Sequence, residues 1–189
     1  MFHEALQFLL DALLQPFAAI LLFRFHAVWL RAPMRNGLGE FIMVMTDFLV
    51  LRARRYVPTA WGYDSASLLL ALLVETIYVS AFVWTQGLPV SGFPLLGLLA
   101  WAAVKLLKLS VNILVLAVLA QAVLSWLGKP SAVGPMLAAV THPFLNPLRR
   151  LLPLFGRIDL TPMLLFIICQ LILIVPLGML EQLTLRLLS

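Results

Sequence analysis

Four stretches of this sequence, about residues 5–30, 65–85, 105–127 and 162–182, are each apolar over the roughly 20 residues that a helix needs to cross a bilayer. Inside hydrocarbon, backbone groups must be satisfied within their own segment, so such stretches can only be helices. The first is the least regular, because it contains Asp11, Gln15, Pro16, Arg24 and His26. The expected fold is an all-α membrane protein with four transmembrane helices. Residues are 63% hydrophobic and 11% charged, against about 25% charged in soluble domains.

Charge placement gives the topology. Most of the 13 Lys and Arg fall in two linkers: Arg31, Arg35, Arg52, Arg54 and Arg55 in one, Lys129, Arg149, Arg150 and Arg157 in the other. The turn from Gln86 to about Pro94 carries no charge, and both ends of the chain hold few cations. The positive-inside rule then puts both linkers in the cytoplasm and both termini outside. A net charge of +5 can mean nucleic acid, but arginines placed between apolar spans point instead to anionic lipid headgroups. The N-terminal stretch lacks a basic n-region and carries Glu4 and Asp11, so it reads as a retained helix, not a signal peptide. The single cysteine, Cys169, lies in an apolar run and reads as a small buried hydrophobe.

Slid by 95 residues, the chain matches itself without a gap. Arg54 falls on Arg149, Arg55 on Arg150, Pro58 on Pro153, Asp64 on Asp159, Thr46 on Thr141 and Gly39 on Gly134, while Glu75 meets Gln170. This is the pattern of two parallel helix–basic linker–helix repeats, residues 1–90 and 91–189. The piece before the third span holds Pro89, Gly92, Pro94 and Gly97 and reads as interfacial or re-entrant.

The second linker, "HPFLNPLRRLLPLFGRIDLTP", is the most specific segment. Pro143 and Pro147 push their preceding residues toward extended geometry. Asn146 suits an N-cap and Pro147 a first helical residue, predicting a short interfacial helix, Pro147–Leu152, ended by Pro153. Thr161 and Pro162 repeat that start for the fourth span, with Asp159 placed to favour its positive dipole end. The first linker keeps Arg54, Arg55, Pro58 and Asp64, with Ser65 or Ser67 as cap. The arginines read either as topology anchors or, with Asp159 and Asp64, as a docking surface for a protein partner or lipid.

Within the spans, Glu75 lies near mid-membrane, with Arg24 and His26 within one or two turns of that depth and Gln170 at the matching place in the second half. A Glu75–Arg24 ion pair or a polar seam is one expectation, and a proton- or ion-responsive site is the other. Asp11, Lys108 and Glu181 read as outer-interface charges, with Lys105 further out. No catalytic triad, metal-ligand spacing or phosphate loop is present, so neither an enzyme nor a cofactor is expected.

The stretch from Pro143 to Pro162, followed by an apolar helix, resembles the signature of the YggT family, also called YlmG, and so does the doubled architecture. The residues matching the motif are Arg149, Arg150, Pro153, Asp159 and Pro162, with Arg54, Arg55 and Asp64 in the weaker first copy. The resemblance implies a small bacterial inner-membrane protein with chloroplast relatives and no established enzymatic activity. It implies roles among osmotic or ion tolerance, division-site organisation and membrane-complex assembly. Two functions stand as expectations: a scaffold whose cytoplasmic linkers bind anionic lipid or a membrane or division protein, and an ion or osmolyte transport protein, or an accessory to one, linked to osmotic stress tolerance, in which a conduit would need a homo-oligomer.

Overall fold

The computed structural model describes residues 2–57, 63–87, 94–128, 131–151 and 159–188. Those residues form seven helices and no strand: α1 Phe2–Trp29, α2 Gly37–Ala53, α3 Ser65–Gln86, α4 Pro94–Leu127, α5 Gly134–Leu151, α6 Thr161–Ile174 and α7 Pro176–Leu188. Four spans are long and apolar enough to cross a membrane: His3–Trp29, Ser65–Gln86, Leu95–Leu127 and Thr161–Leu188, the last made of α6 and α7. The spans pair antiparallel. Along α1 and α3, Gln7 meets Gln86 at one end and Arg24 meets Asp64 at the other. Along α4 and α7, Lys108 meets Glu181, and Gly97 packs beside Leu188. One side of the bundle therefore holds both linkers and the other the chain ends, here the linker side and the terminal side.

Ala18, Leu21, Leu22, Ala66, Ala71 and Val74 form the contact of α1 with α3, where small side chains let the two backbones approach. Two linker helices fold back onto this frame. On α2, the buried row is Gly39, Ile42, Thr46 and Val50, at helical spacing, while Phe41, Val44, Met45 and Phe48 are exposed. An apolar outward face on a membrane protein belongs against lipid. On α5 the buried row is Met136, Leu137, Val140, Thr141 and Leu145. Its first part packs on Ala27, Ile42 and Ala117, and Leu145 packs on Val115, Val118, Leu165 and Cys169. Cys169 is a buried free thiol in that apolar cluster.

Three helix boundaries differ from the sequence expectation. First, α5 is one continuous helix through Pro143 and Pro147, with no extended segment and no new start at Asn146. Both prolines are exposed, while the buried row on the other side carries the helix through. Asn146 instead donates to the His142 ring one turn back, 2.9 Å away. Second, residues 94–104 are the beginning of α4, not an interfacial piece. Pro94 needs no N–H bond in a first turn. Gly97 sits where an added Cβ would come within 2.8 Å of Leu188, so it serves packing, not a break. Third, the fourth span is broken at Val175, before Pro176, which cannot donate to the turn behind it. Pro58, Pro89, Gly92, Lys129, Leu152, Pro153 and Arg157 lie outside the described residues.

One pair of residues 95 apart is alike and another is not. Thr46 and Thr141 are both fully buried, and each hydroxyl donates to the carbonyl four residues back, Ile42 at 2.6 Å and Leu137 at 2.9 Å. Gly39 and Gly134 differ: a Cβ on Gly39 would lie 2.1 Å from the Met34 carbonyl oxygen, while on Gly134 its nearest neighbour would be 3.9 Å away.

Candidate functional site

Each linker ends in an arginine and an aspartate ten residues apart that close on each other. Arg54 Nη2 lies 3.2 Å from Asp64 Oδ1, and Arg149 Nη2 lies 3.1 Å from Asp159 Oδ2. In both cases the aspartate immediately precedes a membrane span, so the pair ties the end of the linker to the point of re-entry. The surroundings of the two clips are otherwise opposite.

The first clip is internal. Arg24 of α1, with a side chain 1% exposed, donates from Nε to Asp64 Oδ2 at 3.1 Å and from Nη1 to Thr46 Oγ1 at 2.6 Å and Asp47 Oδ1 at 2.7 Å. Ser67 Oγ donates to Asp64 Oδ2 at 2.7 Å. One guanidinium thus joins α1, α2 and the start of α3. Burial alone would raise the Asp64 pKa. The Ser67 hydrogen bond and the charges of Arg54 and Arg24 outweigh it and hold the carboxyl below its ordinary range. Two arginines face two carboxylates here, so the cluster is close to neutral and leaves no surplus charge.

The second clip is open. The Arg149 and Asp159 side chains are 45% and 32% exposed. Asp159 Oδ1 accepts the backbone N–H of Thr161 at 2.9 Å, so this carboxylate caps the first turn of α6. Burial opposes its charge, but the Thr161 hydrogen bonds and the charge and hydrogen bond of Arg149 together outweigh it and keep its pKa low. Thr161 is therefore the residue being capped, not the cap, and Pro162 follows it in the first turn. Position 119, which matches Arg24 at the 95-residue offset, is a leucine, and among the described residues Arg149 is the arginine that pairs with Asp159. Arg150 is exposed and has no carboxylate partner among the described residues, and the same holds for Arg55.

Of the two arrangements expected for the intramembrane polar residues, the Glu75–Arg24 ion pair does not form. Arg24 pairs with Asp64 and Asp47, not with Glu75. Glu75 accepts a hydrogen bond from Gln15 Nε2 at 3.4 Å. His26 Nδ1 lies 2.7 Å from the Leu22 carbonyl of its own helix, between Phe25 and Trp29. Gln170 is half-buried on α6, and no contact joins α6 to α3 among the described residues. Lys108 pairs with Glu181, which also accepts from Trp101 Nε1 at 3.1 Å. Because α4 starts at Pro94, Lys105 is about 16 Å along the helix rather than beyond it. Its ammonium lies over the Tyr78 ring, 4.7 Å from the centroid. Aspartates 47 and 64 as partners of Arg24 were missed from sequence. No group of three or more His, Cys, Asp or Glu able to hold a metal is found among the described residues.

Fold and site together define a multi-pass α-helical membrane protein whose linkers are fastened to the starts of the following spans by arginine–aspartate clips. A family model, CCB3/YggT, matches residues 3–85 and 100–180. An uncharacterized protein of Pseudomonas aeruginosa is 31% identical over 173 residues, 90% of this chain and 87% of the relative. The uncharacterized protein YggT of Escherichia coli is 30% identical over 172 residues, covering 89% and 87%. The chain belongs to the CCB3/YggT family. No solved structure matches it.

Proposed function

We propose that this chain is a non-enzymatic scaffold of the bacterial inner membrane, with both linkers in the cytoplasm, whose second linker docks an anionic phospholipid headgroup or a protein carboxylate in a membrane complex. The observation that carries the reading is the contrast between the clips. The first is saturated from inside by Arg24, whereas Arg149 and Arg150 present two guanidinium groups at the surface against one half-exposed carboxylate, Asp159. Planar guanidinium groups held on a helix suit bidentate recognition of phosphate or carboxylate. Arg54 and Asp64 play the structural counterpart in the first half, with Arg55 as a further surface cation. The cytoplasmic placement rests on the linker cations.

In-cell photo-crosslinking from positions flanking Arg149 tests this. The wild type is expected to capture one dominant species, a phospholipid or a membrane protein. The Arg149→Lys, Arg150→Lys double variant keeps the charge and so inserts normally, but loses the fork geometry and with it the captured species. Undiminished capture by the double lysine variant would reduce the arginines to topology anchors.

A further inference from the structure

Gln7, Asp11 and Gln15 recur every four residues on α1 and so form one stripe along it. Each has a polar partner on α3. Gln86 Nε2 donates to Gln7 Oε1 at 2.8 Å, Tyr78 Oη to Asp11 Oδ1 at 2.6 Å, and Gln15 Nε2 to Glu75 Oε2 at 3.4 Å. The ladder starts at the exposed terminal side and descends one turn per rung. It stops at Glu75. The next positions on α1 are Ala18, Leu21 and Leu22, all essentially fully buried and packed on Ala71 and Val74. Access to Glu75 is therefore polar from one side and apolar from the other.

Glu75 is itself 1% exposed, and its Oε1 has no hydrogen-bond partner among the described residues. A buried carboxylate oxygen without a donor is costly, whereas a carboxylic acid tolerates the same place. The groups around it are accounted for. On α1, Asp11 holds the Tyr78 hydroxyl of α3. On α4, Lys105 is the cation whose field reaches Glu75, yet its ammonium is turned onto the Tyr78, Trp101 and Phe82 rings, while Lys108 is paired with Glu181 of α7. On α2, Asp47 is bound by Arg24 at the linker end. We propose that Glu75 is a proton-binding site that exchanges protons along this ladder with the terminal side of the membrane only. Loss of its proton would create a carboxylate beside Lys105 and draw the ammonium off the rings. The proton state would then be read out in the packing of α3 on α4. This does not rest on the docking role of the arginines.

A hydrophobic carbodiimide tests the site, because it reacts with the protonated acid. The acid proton passes to a carbodiimide nitrogen, the carboxylate oxygen adds to the central carbon, and the adduct rearranges to an N-acylurea with no atom lost. Right-side-out and everted membrane vesicles are labelled with dicyclohexylcarbodiimide over a series of bath pH values, and the α3 peptide is weighed. A cysteine placed at Phe2 reports which vesicle type turns the terminal side to the bath. In that type, Glu75 is expected to gain one carbodiimide mass, at a rate falling about tenfold per pH unit once the site titrates. In the other type the same change of bath pH leaves the rate unaltered, and Glu75→Gln abolishes the adduct. Absence of an adduct at Glu75, or a rate that follows linker-side pH, would overturn the proposal. Slowing by sodium or potassium ions at constant pH would overturn it in favour of a metal-cation site.

Discussion

Replacing Arg24 by leucine separates the two clips energetically. The guanidinium is 1% exposed and makes three charge-assisted contacts, to Asp64 at 3.1 Å, Asp47 at 2.7 Å and Thr46 at 2.6 Å. Removing it strands Asp64, whose side chain is 0% exposed, with Arg54 as its remaining cation. Breaking a buried pair typically costs about 3–5 kcal/mol, and the surviving Arg54 contact puts the expectation near the lower end. Arg149→Leu removes a pair of the same length, but its members are 45% and 32% exposed, where an ion pair is worth about 0–1 kcal/mol. Unfolding of the detergent-solubilised protein, followed by tryptophan fluorescence, reads both. A loss of about 3 kcal/mol shifts the folding equilibrium by roughly a hundredfold, while the Arg149 variant should shift it by less than about tenfold. Equal losses in the two variants would refute the assignment of Arg24 as the pin that joins α1, α2 and α3.

Two further outcomes follow from the same geometry. The Asp64 carboxyl has a depressed pKa in the fold, so its contribution is full above its ordinary value of 3.8 and is lost as pH falls through the lower folded value; stability should be flat from neutral to mildly acidic pH and begin to drop as pH falls below 3.8, a drop that Asp64→Asn removes. Gly39→Ala would place a Cβ 2.1 Å from the Met34 carbonyl and should cost about 1–3 kcal/mol in the same unfolding assay, whereas Gly37→Ala, with nothing within 4 Å, should be neutral or better.

Hydropathy alone located the four spans, because a run of apolar residues needs no partner to be recognised. The linkers were harder. Pro143 and Pro147 obey a local rule that favours an extended chain, yet the buried row Met136, Leu137, Val140, Thr141 and Leu145 on the opposite face overrides it. That row was present in the sequence at helical spacing, and it was the signal to follow. The pairing of Arg24 failed for a different reason. Counting residues from a span's end gives depth but no direction around the helix. Arg24 and Gln15 are nine residues, about two and a half turns, apart and so face opposite ways; only one of them can address Glu75. Asp64 lies 11 residues before Glu75, about 16 Å toward the linker side, which is where the Arg24 side chain is held. The depth of Lys105 follows from the start of α4 at Pro94, which the proline and glycines around it hide in the sequence. The arginine–aspartate clips themselves could be anticipated from the repeated ten-residue spacing, but the difference in their burial comes from Arg24, whose counterpart Leu119 gives no hint of what is missing.

The length of α4 has a mechanical consequence. Its 34 residues extend about 51 Å, against about 30 Å of hydrocarbon and about 40–45 Å of whole bilayer. At an ordinary tilt of about 20–30° it reaches from one headgroup layer through the other, with the exposed Trp126 near its linker-side end. A thinner bilayer favours greater tilt. Since α5 is packed along α4 through Met136, Leu137 and Leu145, it leans with it. A change in the tilt of α4 would thus carry α5, and with it Arg149 and Arg150, as a lever carries its pointer.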